Sequence, residues 1–257
     1  MDTKLIKPPE TNVVQEEEEE EGAVMSFLDH LEELRTRLFR AVIAIAIGML
    51  ISTVFTNPVL NAIKETYGDN LQILEPTDSI VIFFRVALML GAILASPIIT
   101  YQIFMFILPG LTRKEKRWVL MALPGTTALF LFGLVFTWVI LVPAYVNFLK
   151  GFQSDVFRIN WTADSYVGFL TAVLFWHAAV FETPLVFFIL GRLGAVTAGS
   201  MLRYWRHAVV AATAISAFIT PTTDPLTMLV ITIILVALYG VSVLLVGITT
   251  GFRRQTA

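Results

Sequence analysis

One acidic residue, Glu182, lies well inside an apolar stretch of the sequence. It precedes Arg192 by 10 residues, which is about 15 Å along a helix and so close to the middle of a membrane. An ionisable group at that depth is costly and usually faces a protein interior or a wet cavity. Pro184 cannot donate to the carbonyl of Val180, which leaves a second polar group one turn away. We therefore expect a functional role for Glu182, with packing through a hydrogen-bonded carboxyl as the alternative.

Two further carboxylates, Glu33 and Glu115, each stand beside the start of an apolar stretch. A carboxylate accepts two parallel hydrogen bonds from one guanidinium group, so a pair of carboxylates suits recognition of two adjacent arginines. Taken alone, Glu115 is equally compatible with a single compensating acid in the basic loop LPGLTRKEKRW, residues 108–118.

The patterns of the common membrane-bound enzymes are absent from the sequence. His30, His177 and His207 lack the HExxH spacing, no GxSxG motif occurs, and the chain has no cysteine. We therefore predict no enzymatic activity, no metal site and no cofactor. His177 lies about 140° around a helix from Glu182, so it is expected to be a core residue rather than the partner of that acid.

The composition is that of a membrane protein with several spans. Hydrophobic residues make up 56% of the 257 residues, charged residues 15%, and the mean hydropathy is +0.76; soluble domains are less apolar and carry about a quarter charged residues. A span needs about 20 residues. Six apolar segments qualify as candidate transmembrane helices, at 38–55, 82–108, 119–142, 166–190, 207–220 and 226–248. The predicted fold is an all-α membrane bundle.

Basic residues predict the orientation of these spans. Of the 18 lysines and arginines, 14 fall in the amino-terminal region, the loops after the second and fourth spans, and the carboxy-terminal tail. Positive residues stay in the cytosol, so both termini are expected there. Residues 1–24 hold eight carboxylates against two lysines and read as a disordered acidic cytosolic tail. We predict a six-helix membrane domain over 25–250 and a short cytosolic tail over 251–257.

The stretch before the first span predicts an amphipathic helix that continues into it. Leucines recur every three or four residues, and Ser26 with Asp29 fits a capping box. Glu33 and Arg37 have the favoured acid-then-base spacing for a helical pair. Between the spans, 57–79 and 143–165 also show helical spacing of apolar residues, which predicts short amphipathic helices across the outer mouth.

Three further features concern the helix ends and lengths. Pro97 and Pro184 can each kink a span. The fifth segment, 14 residues long, covers only about 21 Å, so we expect a locally thinned bilayer beside it, where a partner helix could insert. In the turn that follows, between Thr220 and Pro225, Asp224 is predicted to cap the last helix.

Four motifs resemble the TatC family, the receptor subunit of the twin-arginine protein translocase. They are HLEELRTRL at 30–38, YQIFMFILPGLTRKEKR at 101–117, FETP at 181–184 and TPTTDP at 220–225. The resemblance runs from Phe27 to the last helix and leaves out the acidic tail. One departure is Met228, which stands where members of the family place a glutamine.

The resemblance implies a cup-shaped protein of the bacterial plasma membrane that binds twin-arginine signal peptides. It would export folded proteins, driven by the proton-motive force. By motif, Glu33, Arg35 and Glu115 take the signal-recognition positions, Glu182 the buried polar position, and Thr220 and Asp224 the external turn where partners make contact. Implied partners are single-span subunits of the TatA and TatB type, precursor proteins, the lipid bilayer and further copies of the chain, but no nucleic acid.

Two other classes of function stay open at this point. A proton-coupled secondary transporter could use Glu182 as its proton site, although such folds commonly show internal repeats and paired broken helices, and the sequence shows neither. A purely structural scaffold would tolerate replacement of every carboxylate named above.

Overall fold

The protein is helical in the residues that its structure, a computed structural model, describes: 27–68, 71–107, 113–153, 155–156, 160–220 and 224–255. These residues form no β-strand, and a single parallel bridge joins Gln72 and Thr162. The predicted all-α class is confirmed. The helices are α1 (Phe27–Tyr67), α2 (Asp78–Ile107), α3 (Arg113–Phe136), a π-helical turn (Thr137–Leu141), α4 (Val142–Gly151), α5 (Ala163–Val180), α6 (Thr183–Arg192), α7 (Ala198–Arg203), α8 (Trp205–Ile219) and α9 (Pro225–Gln255).

The predicted acidic tail, 1–24, and the capping residue Ser26 lie outside the described residues, so both stay predictions. At the other end, α9 continues as a helix to Gln255, into the segment expected to be a short tail.

Within the described residues, five helical segments are long and apolar enough to cross a membrane. The remaining predicted segment, 207–220, which is the fifth along the chain, corresponds to α8. This helix has 15 residues and extends about 22 Å, so it is short, as predicted. That all six cross the membrane, and on which side each terminus lies, stay predictions. The five segments are Asp29–Tyr67, Asp78–Ile107, Val119–Gly151, Ala163–Arg192 and Pro225–Ile248.

The predicted short amphipathic helices of the outer mouth are present in one segment only: α4 is a short helix at Val142–Gly151, whereas 57–67 forms the end of α1. Helix α1 does not stop near residue 55 but runs on to Tyr67, and the π-helical turn joins α3 directly to α4. Part of the apolar face in these segments is buried, since Ile63 and Tyr145 are each 1% exposed, whereas Phe152 is 60% exposed. The same spacing arises when a long helix packs one face on its neighbours, and spacing alone does not distinguish the two arrangements.

These helix extensions form the largest core of the protein. Ile63 and Tyr67 from α1 pack with residues of α2, α4 and α5, among them Val86, Tyr145 and Tyr166. Many residues of the spans outside this cluster, in contrast, expose their apolar side chains, as expected for helices that face lipid. The bundle is therefore held together most extensively at one end.

Helices α1 and α2 cross in close contact at a pair of glycines. A Cβ atom added to Gly48 would lie 2.5 Å from the carbonyl oxygen of Gly91, and one added to Gly91 would lie 2.6 Å from Cα of Met49. Small residues let helix backbones approach this closely in membranes, where dispersion contacts replace the hydrophobic effect as the main attraction. The crossing ties the first helix to the second near the middle of its length.

Candidate functional site

The amino-terminal part of α1, about two to three turns from its start, carries the predicted pair of Glu33 and Arg37. Nε of Arg37 donates to Oε1 of Glu33 at 2.8 Å, and Nη2 of the same arginine also donates to that oxygen. The two side chains are only 14% and 15% exposed. The prediction of a helical acid–base pair is confirmed, and the contact is closer to a buried pair than to an ordinary surface pair.

This pair lies in a groove on one face of α1, which we call the N-terminal groove. Its volume is about 330 Å³. Arg35, predicted to take part in recognition, is exposed and does not line it. The residues that line the N-terminal groove are Asp29, Glu32, Glu33, Thr36, Arg37 and Arg40.

A contact without any signal in the sequence joins the helix of the N-terminal groove to the next helix. The ring of His30 stacks on that of Phe106, with centroids 4.3 Å apart and planes inclined by 18°. Phe106 is almost the last residue of α2, so the stack brings the start of α1 to the end of α2. That is also the end from which the chain continues towards Glu115.

Glu115 is the third residue of α3, and its side chain lies outside the described part of the structure. The proposal that Glu115 and Glu33 act together therefore stays a prediction.

The fourth span is interrupted at the second predicted site. Helix α5 ends at Val180 and α6 begins at Thr183, so the predicted effect of Pro184 is confirmed as a break. We call the two intervening residues, Phe181 and Glu182, the span break. Pro97, in contrast, lies inside α2, and that helix continues past it.

The side chain of Glu182 is half-buried at this break and forms a hydrogen bond with Thr100 of α2. Its backbone carbonyl accepts from the amides of Leu185 and Val186 at 3.0 and 3.1 Å, which starts α6. The carboxyl is thus held by a neighbouring helix, and Thr100 itself is only 6% exposed. A hydrogen-bonded acid between two spans fits both the functional and the packing interpretation of Glu182.

The other residue of the break, Phe181, fits against a glycine of α3. A Cβ atom added to Gly133 would lie 2.6 Å from Cβ of Phe181. The rings of Phe136 and Phe132 pack against the same phenylalanine, with centroids 5.3 and 5.8 Å away. Neither the glycine nor the aromatic contacts had a signal in the sequence, because they join residues far apart along the chain.

His177 is a core residue, as predicted. Its Nδ1 lies 2.8 Å from the carbonyl oxygen of Val173, which only accepts, so Nδ1 carries the proton. Nε2 then accepts from the hydroxyl of Tyr145 at 3.1 Å. The imidazole links α4 to α5, and its hydrogen bonds are to these two groups rather than to Glu182.

The turn before the last helix has the capping residue that the sequence predicts. Oδ1 of Asp224 accepts from the amide of Thr227 at 2.7 Å, which confirms Asp224 as the N-cap. The hydroxyl of Thr220 donates to the carbonyl of Ser216 at 2.7 Å. A role for this turn in partner contact stays a prediction, and residues 221–223 lie outside the described part.

A contact between the last two helices was missed by the sequence analysis. The hydroxyls of Ser216 in α8 and Thr232 in α9 are 2.7 Å apart.

The structure does not group three or more His, Asp or Glu side chains in a way that could hold a metal ion, within the residues it describes.

Comparison with known proteins places this architecture in one family. The family model "Sec-independent protein translocase protein (TatC)" matches residues 29–233. A TatC protein of Synechocystis sp. is 36% identical over 204 residues, which are 79% of this chain and 80% of that protein. A chloroplastic TATC of Arabidopsis thaliana is 35% identical over 218 residues, covering 84% of this chain and 64% of the relative.

A solved structure is similar over nearly its whole length. The crystal structure of a twin-arginine translocase receptor, TatC, superposes with a TM-score of 0.75 at 32% identity, covering 86% of this chain and 99% of the other. Together with the apolar helices, these similarities show that the chain is a multi-pass membrane protein and belongs to the TatC family, whose members are components of the Sec-independent protein translocase.

Proposed function

We propose that this chain is the receptor and core component of a twin-arginine translocase, which binds twin-arginine signal peptides and exports folded proteins driven by the proton-motive force. The similar crystal structure is that of a twin-arginine translocase receptor. In this proposal Glu33, Arg35 and Glu115 form the recognition site, and the chain acts without enzymatic chemistry of its own.

The observation that carries the proposal is the environment of Glu33. Its carboxylate already holds a guanidinium group, that of Arg37, through Nε and Nη2. A site that binds an arginine within the chain has the geometry to bind an arginine of a ligand. The N-terminal groove around it is open, has a volume of about 330 Å³, and also carries the acids Asp29 and Glu32.

We propose cytosolic termini and six membrane crossings, because 14 of the 18 lysines and arginines fall in segments on one side of the predicted spans. The partners in this proposal are single-span subunits of the TatA and TatB type and further copies of the chain. Since relatives occur in cyanobacteria and in chloroplasts, the target membrane is that of a bacterium or a chloroplast, and we propose the bacterial plasma membrane.

Peptide binding to carboxylate variants tests the recognition site. Affinities of a twin-arginine signal peptide and of its twin-lysine counterpart are measured for Glu33→Ala and Glu115→Ala in detergent. A charged hydrogen bond contributes about 1.5–3 kcal/mol, so each variant should bind the arginine peptide roughly ten- to a hundredfold more weakly. The lysine peptide should lose much less, because an ammonium group cannot meet both carboxylate oxygens at once.

Glu65→Ala is the matched control, since Glu65 lies on the same helix and is exposed but does not line the N-terminal groove. It should change the affinity for either peptide only slightly. If both Glu33→Ala and Glu115→Ala kept the full preference for arginine, recognition would lie elsewhere in the protein.

A proton-coupled transporter of small solutes is the second candidate, and it depends on Glu182 alone. Membership of a translocase family disfavours it. Solute uptake into proteoliposomes, driven by a pH gradient and lost in Glu182→Gln, would support it against the translocase proposal.

A further inference from the structure

Both oxygens of the Glu33 carboxylate are closed to a ligand in this structure. Oε1 accepts from Nε of Arg37 at 2.8 Å and from Nη2 of the same residue. Oε2 is buried, and in the described residues no donor forms a hydrogen bond with it. The next basic group, Nδ1 of His30, lies 3.9 Å from Oε2, too far for a hydrogen bond.

A guanidinium group that binds a carboxylate through its fork uses both oxygens. At Glu33 one oxygen is taken and the other is not reachable from solvent, so an arginine of a ligand cannot bind while Arg37 keeps its position. Arg37 and the ligand's arginine carry the same group, and one can replace the other without changing the kind of bond that Glu33 forms.

We propose that Arg37 is an internal substitute for the ligand: it closes Glu33 until an arginine of the signal peptide displaces it. This inference rests on the proposed function, because it assumes that Glu33 binds the peptide. It adds a specificity-determining residue to that site, and the contact between Arg37 and Glu33 is autoinhibitory.

The exchange explains how the site discriminates against lysine. An arginine that displaces Arg37 restores the two N–H bonds to Oε1 that are lost. A lysine that displaces it offers only a point charge in return, so the closed state competes more effectively against lysine than against arginine. Arg37 thereby adds to the preference that the shape of the carboxylate already provides.

The side chain of Arg37, once displaced, has space in the N-terminal groove. Arg37 lines the N-terminal groove, which has a volume of about 330 Å³. The released guanidinium can be hydrated there without any movement of the helix backbone.

The test compares four single variants of the chain in detergent by fluorescence anisotropy. The probes are two labelled signal peptides that differ only in an Arg-Arg or Lys-Lys pair. Arg37→Gln should bind the arginine peptide roughly two- to fivefold more tightly. It should gain still more for the lysine peptide, so the ratio of the two affinities should fall. Arg37→Lys keeps the charge and loses the fork, and the ratio should fall there too.

Arg40→Gln is the matched control. Arg40 lines the same groove and is exposed, so this change removes the same charge while the bond between Arg37 and Glu33 stays intact. Both peptides should respond to it equally, and the ratio of affinities should not change. Melting temperatures of all variants identify any that have lost their fold, and Arg37→Lys, the most conservative change, then decides the result.

Weaker binding of both peptides to Arg37→Gln would show that Arg37 orients Glu33 for binding, and would overturn the proposal. An unchanged ratio of affinities, as in Arg40→Gln, would also overturn it, because only net charge would then matter. Glu33→Gln is measured in parallel. If it abolishes the arginine preference while Arg37→Gln leaves the ratio unchanged, the recognition site stands and the exchange does not. If Glu33→Gln keeps the preference, both proposals fail.

Discussion

The N-terminal groove and the span break each hold an acidic side chain, but the two carboxyl groups find their hydrogen-bond partners in different places. In the groove, Glu33 is paired with Arg37, one turn further along the same helix. At the break, Glu182 is held by Thr100, which belongs to a different helix. The first contact is local in sequence, and the second depends on how the helices pack.

This difference determines what each acid can do. A pair within one helix can open without disturbing any other helix, so Glu33 can change partners when a ligand arrives. A bond between two spans cannot open without leaving polar groups unsatisfied inside the membrane, which is costly. In our proposal, exchangeable recognition therefore belongs to the groove, and the break is suited to a fixed arrangement of the second and fourth spans.

The largest effect should come from filling the space beside the break. Gly133→Leu places side-chain atoms where Phe181 already lies, 2.6 Å from the position of the new Cβ. Overpacking of this kind typically costs about 1–3 kcal/mol, so the melting temperature in detergent should fall by roughly 2–4 °C for each kcal/mol.

The control for this prediction is Gly240→Leu, since nothing lies within 4 Å of a Cβ at Gly240. It adds the same side chain to an exposed position in α9, and its melting temperature should match that of the wild type. Equal destabilisation by both changes would mean that the fit of Phe181 against α3 is unimportant.

Changes at Glu182 should separate transport from binding. Glu182→Gln keeps a group that can form a hydrogen bond with Thr100, so fold and most of the transport should be preserved. Glu182→Ala leaves Thr100 without that partner, at a cost of about 1–3 kcal/mol, and should impair export of a precursor into membrane vesicles. Precursor binding should stay close to that of the wild type in both. Full export by the alanine variant would show that Glu182 only packs.

The smallest effect concerns the stack of His30 on Phe106, which joins the start of α1 to the end of α2. His30→Ala removes the stack on Phe106, and an aromatic pair contributes about 0.5–1.5 kcal/mol. Affinity for a twin-arginine peptide, measured by fluorescence anisotropy, should fall roughly two- to tenfold. His30→Phe keeps the stack and should restore the affinity; failure to do so would point to a role for the imidazole nitrogens instead.

Contacts within a few residues could be predicted from the sequence. The pairing of Glu33 with Arg37, the capping role of Asp224 and the break beside Pro184 all follow from rules about helix spacing and helix ends. The all-helical class followed from the apolar segments in the same way. These rules need no knowledge of which helices are neighbours.

Contacts between helices could not be predicted in this way. The stack of His30 on Phe106 and the fit of Phe181 against Gly133 exist only because distant segments meet. The same limit explains the error about the first outer segment: the spacing around Ile63 indicated a helix with one apolar face, but not that this face is covered by other helices.

The glycine pair where α1 crosses α2 also limits how this chain can vary over evolutionary time. At Gly48 and Gly91 the obstacle to a larger residue is the opposing backbone, and no rotamer change can move it aside. Because glycine is already the smallest residue, a mutation at one position has no compensating partner at the other. A genetic selection for revertants of Gly48→Val should therefore return small residues at position 48 or suppressors elsewhere, and never a substitution at Gly91.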